Sequence, residues 1–292
     1  MPSLKHLRRR LRTVNSTKLI TRAMRSVAAS KMRRTQDRRD QIKPFANRLQ
    51  KLVAHAAQGG GSEHQPLMQK RDEGKRLVVV ISSDSGLCGA FNNTVIRYAE
   101  DYLRSLSDEY ELYIIGKRAN SYFRKYGHPI KRALVDLKGN IVLDRIFETA
   151  NEIQTAFLDE GFKAVDLIYN RAITAMAYKS QRERFLPLQK EELLSNLDEK
   201  TPAADLDYIY EPDAKTLLGE LLPKFVETKI YYVFVDAFAA EHQARMLAMT
   251  TANENCIELI DALTLQMNKA RQAAITTEIT EIVGGAETLR RQ

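Results

Sequence analysis

MPSLKHLRRRLRTVNSTKLITRAMRSVAASKMRRTQDRRDQIKPFANRLQKLVAHAAQ, residues 1–58, contains no glycine. Leu4, Leu7, Leu11 and Val14 recur at spacings of three and four, the narrow stripe of a coiled-coil seam. The strict register then falls on Lys18 and Thr21. An apolar stripe resumes out of phase at Ile20, Met24, Val27 and Ala28, so the helix is expected to change its facing partner along its length. Pro44 is a site for a kink, Leu49, Leu52 and Val53 resume an apolar face, and Gly59-Gly60-Gly61 end the helix. At 1.5 Å per residue it would be about 80 Å long, too long to bury itself in one small core.

The other end of the chain reads the same way. Residues 220–283 also lack glycine, and a helix is expected to open near Pro212-Asp213 and to stop at Gly284-Gly285, about 105 Å in all. Leu218, Leu221, Leu222, Phe225 and Val226 give it an apolar face, as do Ile257, Ile260, Leu263, Met267, Ile275, Ile279 and Ile282 later on. Between these groups Glu241–Asn255 is polar and alanine-rich, so the seam is expected to be weak there. Both helices leave the segment between them from one foot and run the same way outward. The second is longer, so the C-terminus is expected to project beyond Met1.

That segment alternates strand and helix. Leu77–Ile81 (LVVVI) reads as a buried strand, Ser82–Gly89 as a loop and Asn92–Leu106 as a helix. Strands follow at Glu111–Ile115, Lys163–Asn170 and Glu183–Pro187, with helices at Arg118–Tyr126 and Arg145–Leu158 and a polar connection over 188–206. The fold class is therefore α/β: a long antiparallel coiled coil of N- and C-terminal helices with an inserted Rossmann-like α/β domain. The segments are 1–58, 59–211 and 212–292.

Charge is unevenly placed along the chain. The formal net charge is +8, yet residues 1–51 hold 16 Lys/Arg against Asp37 and Asp40, a net of +14. The rest carries 29 basic and 35 acidic residues, a net of −6. The first helix therefore suits an acidic partner: nucleic acid, a membrane surface or an acidic protein collar. No apolar run approaches a membrane span, and Leu77–Ile81 and Ile230–Ala240 are too short. Cys88 and Cys256 make no disulfide framework. The Arg-rich opening imitates a mitochondrial transit peptide, but its pattern runs on past Arg48 without a cleavage-like change.

Signatures of catalysis are missing. Gly74-Lys75 and Gly116-Lys117 are each followed by arginine rather than Ser/Thr, and there is no HExxH, paired CxxC or GxSxG. His6, His55, His64, His128 and His242 are scattered. The loop Ser82–Gly89 sits where a doubly wound sheet cradles phosphate. Its glycines do not match a dinucleotide fingerprint, and Asp84 would repel a phosphate. Asp84, Gly86, Cys88 and Gly89 are better read as a tight strand-to-helix turn. Neither a cofactor nor a metal is expected.

Three segments together resemble the gamma subunit of F-type ATP synthase: Thr21–Met24 (TRAM) with Val27–Met32 (VAASKM), Ser83–Asn92 (SDSGLCGAFN) and Lys269–Ala286 (KARQAAITTEITEIVGGA). They fall in the family's order across essentially the whole chain, and Tyr208–Asp213 matches at the start of the second helix. The charged tail from Glu287 departs from the family's small residues.

The resemblance implies a non-catalytic rotor shaft inside a ring of three alpha and three beta subunits, its foot on epsilon and the membrane c-ring. It would be peripheral, on the cytoplasmic face of a bacterial membrane. By position in the matching motifs, Met24 would face the beta collar. Arg271, Gln272, Thr276 and Glu278 would form an upper catch with beta loops, supported by Arg245. Tyr208, Tyr210 and Glu211 would lie at the foot near the c-ring. Two rival readings remain: a basic coiled coil that binds nucleic acid, although residues 1–44 hold no aromatic for base stacking, and a nucleotide-binding enzyme using Ser82–Gly89.

Overall fold

The structure, a computed structural model, describes residues 4–58, 64–174, 177–190, 193 and 213–290. Its long helices are α1 (Leu4–Gln58) and α5 (Ala214–Arg290). Between them come β1 (Arg76–Ile81), α2 (Phe91–Ser105), β2 (Tyr110–Ile115), α3 (Lys117–Lys125), β3 (Ile130–Leu134), α4 (Leu143–Asp159), β4 (Ala164–Ala172) and β5 (Tyr178–Leu186). The chain divides into two compact units, residues 1–27 with 246–292, and residues 28–245. This division cuts across the three segments drawn from the sequence, because stretches of both long helices belong to the α/β core.

Within residues 28–245 the five strands run in the order β3-β2-β1-β4-β5. β1, β2, β3 and β4 are parallel, and β5 returns antiparallel to β4. The alternation of side chains along β1 builds two cores. Val78 and Val80 join Leu112, Ile114 and Ile168 beneath Val95, Ala99 and Leu103 of α2 and Phe123 of α3. Leu77, Val79 and Ile81 face the opposite way, onto Ile146, Ile153 and Phe157 of α4. The same core takes in Leu49, Val53 and Ala56 of α1 and Leu222, Val226, Val233 and Phe234 of α5. Burial on both faces explains why β1 is a continuous apolar run.

β3 was not foreseen. Ile130-Lys131-Arg132-Ala133-Leu134 is a short edge strand with no buried residue, so it carries no hydrophobic signal. β5 begins at Tyr178 rather than Glu183, since its first seven residues keep a polar, partly solvated face. Pro44 and Pro223 lie inside unbroken helices. Asp213 is the cap of α5, accepting from Thr216 N at 2.9 Å and from the Thr216 hydroxyl at 2.7 Å. These bonds hold its carboxyl below the usual carboxylate range.

Two expectations for the helices are corrected. Gly284-Gly285 do not stop α5, which runs on to Arg290. A helical glycine costs only about 1 kcal/mol relative to alanine, which is not by itself a stop. Nor is the first turn of the polar stretch Glu241–Asn255 weakly packed: Glu241, His242, Gln243 and Ala244 are all buried. Its polar groups find partners outside the helix. His242 Nε2 pairs with the Gly139 carbonyl at 2.9 Å, and Gln243 Nε2 donates to the Thr174 carbonyl at 2.9 Å.

Candidate functional site

The topological switch point lies between β1 and β4, where an open α/β sheet ordinarily receives its ligand. Here the chain fills the place itself. Asp84 Oδ1 accepts from the backbone amides of Lys117 and Asp136, each at 3.0 Å, and Oδ2 accepts from that of Lys138 at 2.6 Å. Asp136 and Lys138 hold positive φ (67° and 52°), curling the β3–α4 loop into a nest of amides. A carboxylate of the chain itself takes up these three amides.

The rest of the turn is equally specific. Asn92 Oδ1 accepts from Ser83 N at 2.9 Å, and its Nδ2 reaches Cys88 Sγ at 3.2 Å. Gly89 needs its positive φ, and a Cβ on Gly86 would meet the Arg118 guanidinium at 2.9 Å. Burial pushes the Cys88 thiol up, so it is a packed thiol and not a nucleophile. Asp84, Gly86, Cys88 and Gly89 therefore do come together as one structural turn.

α5 closes the same place. Arg245 donates to Ser85 Oγ at 2.9 Å and pairs with Glu241 at 2.8 Å. Burial raises the Glu241 carboxyl against the pull of Arg245. Lys31 of α1 donates to the Lys138 carbonyl at 3.3 Å, beside the carbonyl that holds His242. Asp236 of α5, also buried, pairs with Arg39 of α1 at 3.5 Å and Arg171 of β4 at 3.8 Å. Lys31 and Arg39 thus bind α1 to the body of this unit, while the exposed cations of its opening, Arg8, Arg9, Arg10 and Arg12, face solvent.

The other unit is a pair of helical segments with a strict seam. On α1 the covered positions include Leu4, Leu7, Leu11, Val14, Lys18 and Thr21; on α5 they include Met246, Met249, Asn253, Cys256, Ile260, Leu263, Met267, Ala270 and Ala274. Both sets keep the alternating three–four spacing of a coiled coil. The seam tolerates polar residues because they bond across it: Asn253 Nδ2 donates to the Lys18 carbonyl at 2.9 Å and Thr21 Oγ1 at 3.3 Å. The expected shift of the packed stripe is thereby corrected. Of its four positions Ala28 is buried and Met24 half-buried, whereas Ile20 and Val27 are 58% exposed, with Leu19 at 66%. The α5 residues Ile257, Ile275, Ile279 and Ile282 are likewise exposed. This external apolar stripe was legible only as a failure to fit the seam's period.

Met24 lies three residues beyond Thr21 and is half-buried, as is Arg25. Arg271, Gln272, Thr276 and Glu278 are exposed on α5, and Thr276 Oγ1 bonds back to the Gln272 carbonyl at 2.9 Å. Arg245 spends its guanidinium on Ser85 and Glu241 rather than on these residues. Tyr208, Tyr210 and Glu211 lie outside the described residues. Among the described residues no group of His, Cys, Asp and Glu is placed to hold a metal ion.

Residues 3–289 match the family model described as ATP synthase. The ATP synthase gamma chain of Pelotomaculum thermopropionicum is 38% identical over 289 residues, covering 99% of this chain and all of that one. The central stalk and c-ring structure of Tetrahymena thermophila mitochondrial ATP synthase contains a chain 26% identical, with TM-score 0.58, covering 80% of this chain and 99% of its own. A chain of the Euglena gracilis mitochondrial ATP synthase OSCP/F1/c-ring structure shares the fold at TM-score 0.67 and 17% identity, covering 98% of this chain and 94% of its own. The chain belongs to the ATP synthase gamma chain family.

Proposed function

We propose that this chain is the central rotor shaft of an F-type ATP synthase. It couples ion-driven rotation of a c-ring to conformational change in catalytic beta subunits and performs no bond chemistry of its own. The observation that carries the reading is the full-length match to gamma chains. The helical unit supports it physically. A torque-bearing element needs stiffness, which two glycine-poor stretches on one uninterrupted seam supply. It also needs a surface that meets moving neighbours without locking. Exposed cations on α1 fit an acidic collar through solvated ion pairs worth under about 1 kcal/mol each, which exchange readily.

The partners are three alpha and three beta subunits around the helices, with epsilon and the c-ring at the foot. Met24 contacts the beta collar. Arg271, Gln272, Thr276 and Glu278 form the upper catch, and Tyr208, Tyr210 and Glu211 meet the c-ring side. Arg245 acts through the fold, by tying α5 to the Ser82–Gly89 turn. Among the described residues no helix is long and apolar enough to cross a membrane. The chain is held peripherally at the cytoplasmic face of a bacterial membrane through its partners.

Gentle detergent extraction from native membranes, with a tag inserted between Gln58 and His64 and quantitative mass spectrometry, tests the reading. One copy recovered with about three alpha and three beta chains, plus epsilon and c, is the result expected for a single central shaft passing through a closed cyclic assembly. Recovery with nucleic acid, or alone, would refute it.

A further inference from the structure

At the amino ends of β1 and β4, the end of the sheet opposite the Ser82–Gly89 turn, lies a cavity of about 250 Å³. Lys70, Arg71, Arg76, Lys163 and Arg184 line it against one carboxylate, Asp72. Carboxylates behind the wall neutralise only part of this charge. Arg76 bonds Asp166 at 2.9 Å and Asp108 at 3.1 Å, and Lys163 bonds Asp108 at 2.7 Å. The Arg71 guanidinium is spent on neutral acceptors, the carbonyls of Phe157, Leu158 and Phe162, so it keeps its full charge. Lys70 and Arg184 are exposed, and the ion pairs of the described residues leave them unused. The five cations thus exceed the three carboxylates by two. A wall of excess positive charge is what an anion relieves.

We propose that this cavity binds a phosphate-bearing ligand, either a free polyphosphate or the headgroup of an acidic phospholipid. The Arg184 fork, unused by the ion pairs of the described residues, favours phosphate, since a guanidinium matches its oxygens in pairs, while Arg71 and Arg76 add charge. The volume leaves room for a pyrophosphate-sized group. The site is distinct from the helical surfaces assigned to the rotor function and does not depend on that assignment.

The test uses the full-length chain. Inorganic pyrophosphate is titrated calorimetrically, and flotation is measured with phosphatidylcholine vesicles with and without phosphatidylglycerol. Lys70→Glu/Arg184→Glu is compared with Arg97→Glu/Arg124→Glu, which makes the same charge change at exposed positions of α2 and α3. Far-UV circular dichroism checks that both variants fold. The cavity variant is expected to lose at least about tenfold in affinity while the control changes less than about twofold. Pyrophosphate binding identifies free polyphosphate as a ligand, and binding only to the anionic vesicles identifies the lipid headgroup. No binding of either probe by the wild-type chain, or equal losses in the two variants, overturns the proposal.

Discussion

His242 makes the α/β unit acid-sensitive in a window set by its burial. Its ring is almost wholly enclosed, with Nε2 on the Gly139 carbonyl and Nδ1 without a partner. Arg245 and Lys31 add positive charge nearby, and the ring is pushed down to about 4 from 6.5, chiefly by desolvation. The unfolded chain takes up this proton as pH falls through 6.5, whereas the folded chain refuses it until about 4. Stability is therefore fully present above the unfolded value and is lost progressively between the two. The loss amounts to about 2 kcal/mol by pH 5 and about 3 kcal/mol at the lower limit. Glu241 and Asp236, both raised by burial, act with the opposite sign, so total stability alone does not isolate the histidine. The measurement is a difference: urea unfolding of wild type and His242→Gln between about pH 7.5 and pH 5, followed by near-UV circular dichroism of the sheet tyrosines. Glutamine cannot titrate, so the variant is less stable at neutral pH but has a flatter pH dependence, by about 2 kcal/mol over that range. Parallel pH dependences in the two proteins would refute the assignment of a neutral, proton-refusing His242.

Other perturbations read other parts of the molecule. Asp84→Ala strands three amides that a carboxylate now satisfies and is expected to destabilise the α/β unit by about 2–4 kcal/mol in urea melts; a change below about 1 kcal/mol would mean that solvent replaces the nest. Asn253→Leu replaces a buried amide in the seam while Thr21 Oγ1 keeps its bond to the Lys18 carbonyl. It should stabilise the helical pair by about 1 kcal/mol but broaden interhelix distance distributions measured between spin labels, and lower stability would contradict this account. Met24→Lys is expected to leave assembly and ATP hydrolysis largely intact while lowering ATP-driven proton pumping several-fold in membranes; normal pumping would remove Met24 from the collar contact. A chain ending at Val283 is expected to assemble and keep most of its activity, and failure of that chain to assemble would give the charged tail a role.

Of the parallel strands, β1 and β2 were legible because each is an apolar run or ends in one and β4 because Leu167, Ile168 and Tyr169 stand together in it, and α2, α3 and α4 because their apolar positions repeat at helical spacing. β3 was not, since an edge strand without a buried residue has no reason to be apolar. The Ser82–Gly89 turn was recognisable by composition, but not the destination of Asp84. Its amide partners come from 33 to 54 residues away, and no local pattern announces them. The same holds for Glu241, His242 and Gln243. Read along one helix they are polar and look solvated. They are buried because Gly139, Thr174 and Arg245 satisfy them.

The out-of-phase stripe on α1 separates two demands that a single helix here meets at once. A seam built for stability alone would place Leu or Ile at every third and fourth position. This one places Lys18 and Thr21 there, and puts Leu19, Ile20 and Val27 outside. Moving those apolar side chains inward would bury more surface within the chain, at about 25 cal/mol per Å². Their exposure is thus not explained by the chain's own folding. Polar layers such as Asn253 with Lys18 and Thr21 fix one register against sliding, a property a torque-bearing pair needs more than extra stability. The seam thus gives up apolar burial at Leu19, Ile20 and Val27 and keeps polar layers that hold its register.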